Sequence, residues 1–128
     1  MLDHNKIPSI YVVDDDDAVR DSLAALLEPE GFIIRPFESA DAFLAHLEEN
    51  FSGNTGPCCL LLDLNMPGKS GMELLAALAE RKSGLPVIVM TGNIDERTKT
   101  KALMGGAIAF LQKPVDADQL IDTLRAAY

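Results

Sequence analysis

Asp63 closes the apolar run Cys59-Leu60-Leu61-Leu62 and is followed directly by Leu64, Asn65, Met66, Pro67 and Gly68. An apolar stretch this short reads as a strand buried on both faces, as in parallel sheets. Met66, Pro67 and Gly68 then turn the chain, because proline fixes φ and glycine tolerates positive φ. Ligands of open parallel sheets bind outside the carboxyl ends of the strands, so an acid there is placed for chemistry. Alone, such an aspartate could equally cap a helix or form a turn. A second short apolar run, Ile10 to Val13, leads straight into Asp14, Asp15, Asp16 and Asp17. Asp16 and Asp17 suit the start of a helix, where aspartate is a preferred N-cap and acids complement the positive end of the dipole. Asp14 and Asp15 lie at the strand end itself, where a carboxylate must be solvated, paired or bound to a cation.

These residues need elements to position them. The apolar stripe Val19, Leu23, Leu26 and Leu27 predicts a helix from Asp16–Asp17 to about Glu28. Pro29 and Gly31 end it, and Phe32 to Phe37 read as the second strand. Ser39 caps a helix to about Glu49 that turns Ala40, Ala42, Phe43 and Leu47 inward, with His46 on its surface because no other candidate metal ligand lies at i±4. The Gly-, Ser- and Asn-rich stretch Phe51 to Pro57 connects to the strand that ends at Asp63. Met72 to about Arg81 form the third helix, with Leu74, Leu75, Leu78 and Ala79 as its core side. Val87 to Met90 form the fourth strand, ending at Thr91, and Gly92 and Asn93 turn the chain. The next helix, about Asp95 to Met104, is polar as far as Lys101, and only Ala102, Leu103 and Met104 offer apolar contact. A helix with so little to bury is held loosely, open to movement or to a partner, or else is simply solvated. Ala107 to Gln112 form the fifth strand, ending in Lys113 and Pro114, and Leu120, Ile121 and Leu124 mark a last helix over about Asp116 to Ala126.

Five strands alternating with five helices imply an α/β fold: a flavodoxin-like parallel sheet in the order 2-1-3-4-5 with helices on both faces. The 128 residues amount to one domain, 1–128, and 48% apolar content is enough for an ordinary core. No apolar stretch could span a bilayer and no leader pattern follows Met1, so a soluble cytoplasmic protein without membrane contact is expected. Cys58 and Cys59 are neighbours in a strand, point to opposite faces, and read as buried free thiols. The net charge of −9, from 20 acidic and 11 basic residues, opposes direct binding to nucleic acid.

On that sheet the first and third strands are neighbours, so Asp14, Asp15 and Asp63 converge at one edge together with Thr91 and Lys113. Three carboxylates held together repel, and the arrangement makes sense around a hard divalent cation. Magnesium suits it best, since it prefers oxygen ligands and commonly bridges carboxylates to phosphate oxygens. Asp63 is then a carboxylate nucleophile of the kind that forms aspartyl-phosphates. Thr91 offers a hydroxyl and Lys113 a compact cation for the phosphoryl oxygens, and Asn65 could present its backbone carbonyl to the metal.

The pieces YVVDDD, LLLDLNMPGKSG, VIVMTG and FLQKP, in this order and at these intervals, resemble the receiver domain of bacterial two-component response regulators from Ile10 to Leu124. The wording LLLDLNMPGKSGMELL with VIVMTGN is most similar to the subgroup followed by a helix-turn-helix output domain, as in nitrogen-fixation regulators. The resemblance implies a phosphoacceptor signalling domain, not an enzyme acting on other molecules. A histidine kinase or phosphotransfer protein would donate a phosphoryl group to Asp63, with Mg²⁺ held by Asp14 or Asp15, Asp63 and the Asn65 carbonyl. It further implies that Thr91 swings towards the phosphoryl group while Phe110, the switch aromatic, rotates into the space left. Lys113 would pair with the phosphate, Pro114 would follow a cis bond, and the fourth helix would shift. Family behaviour also suggests that a charge-poor surface on the fourth and fifth helices pairs two copies on phosphorylation. Phe110 lacks the hydroxyl of the more usual tyrosine, and Gly92 and Asn93 leave the lifetime of the phosphate open. A free-standing receiver and the first part of a longer regulator are both compatible with the sequence.

A rival reading is a haloacid-dehalogenase-like phosphohydrolase, because an apolar strand followed by Asp14-x-Asp16 resembles that nucleophile motif, with Asp14 carrying the phosphoryl group. Asp17 and Ala18 replace its usual Gly-Thr-like continuation, and the chain is short for that fold. A receiver that binds partners without phosphorylation is a third reading, opposed by the presence of every key residue.

Overall fold

The computed structural model describes residues 9–49, 58–64, 70–81, 84–92 and 95–127. Along the chain run β1 (Ser9–Val13), α1 (Asp17–Leu27), β2 (Ile33–Phe37), α2 (Ala40–Glu49), β3 (Cys58–Asp63), α3 (Gly71–Glu80), β4 (Val87–Thr91), α4 (Glu96–Met104), β5 (Ala109–Gln112) and α5 (Ala117–Ala126). A short 3₁₀ turn over Glu28–Glu30 closes α1, and Gly31, at φ 97°, supplies the left-handed residue that ends it. The five strands form one parallel sheet in the order β2-β1-β3-β4-β5. This is the flavodoxin-like arrangement expected from the alternating pattern.

Strand periodicity divides the core into two layers. Ile10, Val12, Cys59, Leu61, Ile88, Met90 and Leu111 face Leu23 and Leu27 of α1 and Leu120 and Leu124 of α5. Val13, Leu60, Leu62, Val87 and Val89 face the other way, against α2, α3 and Ala102 of α4. Central strands covered on both sides must be apolar along their length, which is why β3 and β4 are unbroken hydrophobic runs up to their last residues, Asp63 and Thr91. β2 forms an edge and tolerates Pro36 there, since a proline on an edge need not break an interior ladder.

Local chemistry sets the helix starts. The carboxylates of Asp16, Asp95 and Asp116 and the hydroxyls of Ser39 and Ser70 accept from backbone N–H groups in the following first turns. At α3 the Ser70 hydroxyl accepts from the Glu73 N–H, and the Glu73 carboxylate accepts from the Ser70 N–H, a reciprocal capping box.

Four sequence expectations are corrected. His46 is half-buried, not a surface side chain: its ring centroid lies 5.7 Å from Tyr11 and 5.1 Å from Phe37. Ala79 is exposed, because the core side of α3 is satisfied by Leu74, Leu75 and Leu78. In α4 only Ala102 is buried, while Leu103 and Met104 are 43% and 83% exposed. Nor is the α4 surface charge-poor, since Arg97 and Lys101 stand exposed on it. Cys59 is buried and in no disulfide, as expected; the side chain of Cys58, like the stretch Phe51 to Pro57, lies outside the described residues. No helix among the described residues is long and apolar enough to cross a membrane.

Candidate functional site

Each residue singled out at a strand end is delivered by the strand before it. Asp14 follows Val13, which pairs with Leu62, and Asp63 pairs with Met90, so β1, β3 and β4 end side by side. The Asp14 N–H donates to the Phe37 carbonyl, fixing the exit of β1 against β2. Asp14 and Asp63 are 0% and 4% exposed, whereas Asp15 is open to solvent. One carboxylate oxygen from each of the three lies within 4.8 Å of the others.

Lys113 answers the charge of this cluster from the end of β5. Its Nζ donates to Asp14 Oδ2 at 2.7 Å and stands 3.4 Å from Asp63 Oδ2. Burial pulls the ammonium's pKa down, but the hydrogen bond to Asp14 and the charge of Asp63 outweigh it and hold it above the ordinary 10.5. The second oxygen of Asp14 accepts from the Asp16 N–H at 2.9 Å, so both its oxygens are engaged. Thr91 is buried at the end of β4, and its carbonyl accepts from the Lys113 N–H at 2.8 Å, which locks the two strand ends together. Phe110 is half-buried against the core layer of α2 and α3, and the Lys113–Pro114 bond is cis.

The donor set suits a hard cation. All three side chains offer carboxylate oxygen, the ligand type that Mg²⁺ prefers, and together they could hold such an ion. Three acids against one lysine also leave a local excess of negative charge.

Residues 10–125 match the family model of the response regulator receiver domain. The chain belongs to that family. It is 40% identical over 118 residues to the transcriptional regulatory protein FixJ of Bradyrhizobium diazoefficiens, covering 92% of this chain and 55% of that protein. To the response regulator protein TmoT of Ectopseudomonas mendocina it is 38% identical, covering 92% and 51%. The crystal structure of FixJ-N superposes with a TM-score of 0.83 at 35% identity, covering 99% of this chain and 94% of that one. The receiver thus spans about half the length of the curated relatives it matches. Membership places it in two-component signalling, where a histidine kinase or phosphotransfer protein is the implied partner, and recurrent similarity to FixJ-type regulators supports the nitrogen-fixation-like subgroup.

The receiver brings Asp14, Asp15, Asp63 and Lys113 into one cluster, with Thr91 at the adjoining strand end. Asn65 and Asn93 lie outside the described residues. Sequence reasoning missed Arg20. Its guanidinium, on the first turns of α1, donates to the backbone carbonyl of Asp14 and pairs with Asp17. The Asp17 side chain is 86% exposed and that pair contributes little, while the bond to Asp14 ties the β1 exit to α1. Arg20→Ala is therefore expected to cost about 1 kcal/mol in urea unfolding. Asp17→Ala should cost no more than a few tenths of that, and equal losses would show the exposed pair to matter instead.

Proposed function

We propose that this receiver accepts a phosphoryl group on Asp63 from the phosphohistidine of a histidine kinase or phosphotransfer protein, and thereby controls a transcriptional output. The observation that carries the reading is the convergence of three carboxylates with the Lys113 ammonium at the carboxyl edge of the sheet.

Asp63 supplies the nucleophile: its carboxylate oxygen forms a bond to phosphorus as the P–N bond of the donor breaks, and the imidazole nitrogen leaves with that electron pair, departing as neutral histidine with a proton already on the ring or taken from solvent. Asp14, Asp15 and Asp63, with the Asn65 carbonyl as a further ligand, would hold Mg²⁺. When bound, that ion neutralises charge on the phosphoryl oxygens. Lys113, already between Asp14 and Asp63, offers its ammonium to the same oxygens, and Thr91 offers its hydroxyl. Because the chemistry is mostly placement and charge, a preformed cluster at the ends of rigid strands is what it needs.

Thr91 and Phe110 form the switch in this reading, with Thr91 drawn to the phosphoryl group and Phe110 turning inward behind it. α4 follows, since Ala102 alone anchors it in the core. A ligand shifts an equilibrium only by its differential affinity, and a weakly held helix needs little. The α4–β5–α5 face then meets an output domain or a second copy. Acting in the cytoplasm and carrying a net charge of −9, the receiver leaves DNA contact to another domain.

The test is uptake from a small donor. Incubation with Mg²⁺ and acetyl phosphate should add a single phosphoryl group by intact mass, and prior chelation with EDTA should abolish it. No adduct under either condition, and none from a phosphorylated kinase, would reduce the domain to a binding module.

A further inference from the structure

Gly71 is buried at the first position of α3, directly after the N-cap Ser70. Its backbone is not left-handed, in contrast to Gly31, Gly84 and Gly106. Conformational freedom therefore does not explain a glycine there, and alanine would be the better helix former by up to about 1 kcal/mol. Close approach does explain it. A Cβ at residue 71 would lie 2.4 Å from the Asp63 carbonyl oxygen, 2.6 Å from Leu64 Cα and 3.1 Å from the Asp63 carbonyl carbon. All three atoms are backbone, so no side chain can swing aside.

The peptide that Gly71 touches is the one leaving Asp63, and hydrogen bonds fasten both it and the peptide that follows. Leu64 N–H donates to the Met90 carbonyl of β4 at 3.2 Å, and the Leu64 carbonyl accepts from Gly71 N–H at 3.3 Å. We infer that Gly71 is a positioning residue for Asp63: its missing side chain lets the capped first turn of α3 seat against the Asp63–Leu64 peptide and fix where the carboxylate points. This inference rests on the reading of Asp63 as phosphoacceptor.

Gly105 provides the control, because a Cβ there would meet Leu75 Cδ2 at 3.1 Å and the Lys101 carbonyl oxygen at 3.2 Å, tight but remote from the site. Two quantities are measured on wild type, Gly71→Ala and Gly105→Ala. One is the rate of phosphoryl uptake from acetyl phosphate at saturating Mg²⁺; the other is the Mg²⁺ concentration giving half the metal-induced rise in Tm. Misplacing a reacting group by about 1 Å can cost about 10²-fold, so Gly71→Ala should lose uptake by about tenfold or more and need more Mg²⁺. Gly105→Ala should stay within about twofold of wild type in both, even where its Tm falls.

Uptake and Mg²⁺ response near wild type in Gly71→Ala, or an equal loss in Gly105→Ala, would overturn the inference. Should Gly71→Ala fail to fold, Ser70→Ala decides, since loss of its cap frees the same turn to drift. A reduction of about threefold in uptake with Ser70→Ala supports positioning, and a fall in Tm alone overturns it. If wild type itself takes up no phosphoryl group, the functional reading fails separately. The Mg²⁺ midpoint then settles the role of Gly71, with an unchanged value counting against it.

Discussion

Asp63→Asn is expected to remove every trace of the phosphoryl adduct expected of wild type with Mg²⁺ and acetyl phosphate, because a carboxamide has no anionic oxygen to attack phosphorus. The loss should come without damage to the fold. Asp63 shares a small volume with two other carboxylates and one lysine, so deleting its charge relieves repulsion, and the variant should melt no lower than wild type without Mg²⁺. Asp14→Asn should behave differently. It would weaken the proposed metal site and the contact to Lys113, lowering uptake by about 10- to 100-fold, but would leave the proposed nucleophile in place. An adduct that persists in Asp63→Asn and vanishes in Asp14→Asn would reverse these roles and restore the phosphohydrolase-like reading with Asp14 as nucleophile.

Lys113→Ala should be the most damaging substitution at the site for stability in the absence of Mg²⁺. Its side chain is 22% exposed, whereas the Asp14 side chain it pairs with at 2.7 Å is 0% exposed. Removing one partner of a buried pair costs about 3–5 kcal/mol, and the partial exposure of the lysine puts the expected loss near about 2–3 kcal/mol. Mg²⁺ should return much of it by taking over the neutralisation of Asp14 and Asp63, a recovery larger than in wild type. Urea unfolding with and without Mg²⁺ measures both, and equal losses in the two conditions would show the lysine to matter through packing alone. The sign of the pH effect follows from the raised pKa of Lys113. The stabilisation is complete below the ordinary value of 10.5 and is lost as pH rises through the higher folded one, so wild type and variant should converge in strong alkali. Phosphoryl uptake should fall by about 10²-fold, the scale of losing one preorganised charge.

Much of the receiver could be read from its sequence because the sheet is parallel. Doubly covered strands such as Leu60–Leu62 and Val87–Met90 must be apolar throughout, so an acid or hydroxyl at their ends stands out against the run before it. Asp14, Asp63 and Thr91 were legible for that reason, Lys113 as the residue that directly follows the edge strand β5, and their convergence followed from strand order. What escaped was held by contacts distant in sequence or by absent atoms. His46 packs on rings from β1 and β2, which no inspection of its own helix at i±4 could show. Arg20 reaches back around a loop to the Asp14 carbonyl. Gly71 matters through the Cβ it lacks, and only the backbone reveals what that Cβ would strike. The capping box at Ser70 and Glu73 did leave a signal, the Ser-x-x-Glu spacing before an apolar run.

The scant burial of α4 also bears on how such a protein can change over evolutionary time. Among its nine residues only Ala102 is committed to the core. Substitutions along the remaining length are nearly free of folding cost, as surface positions generally are. Lineages can therefore rewrite this exposed helix while the strands and the acidic cluster stay as they are, and duplicated copies can diverge on one surface before they diverge elsewhere.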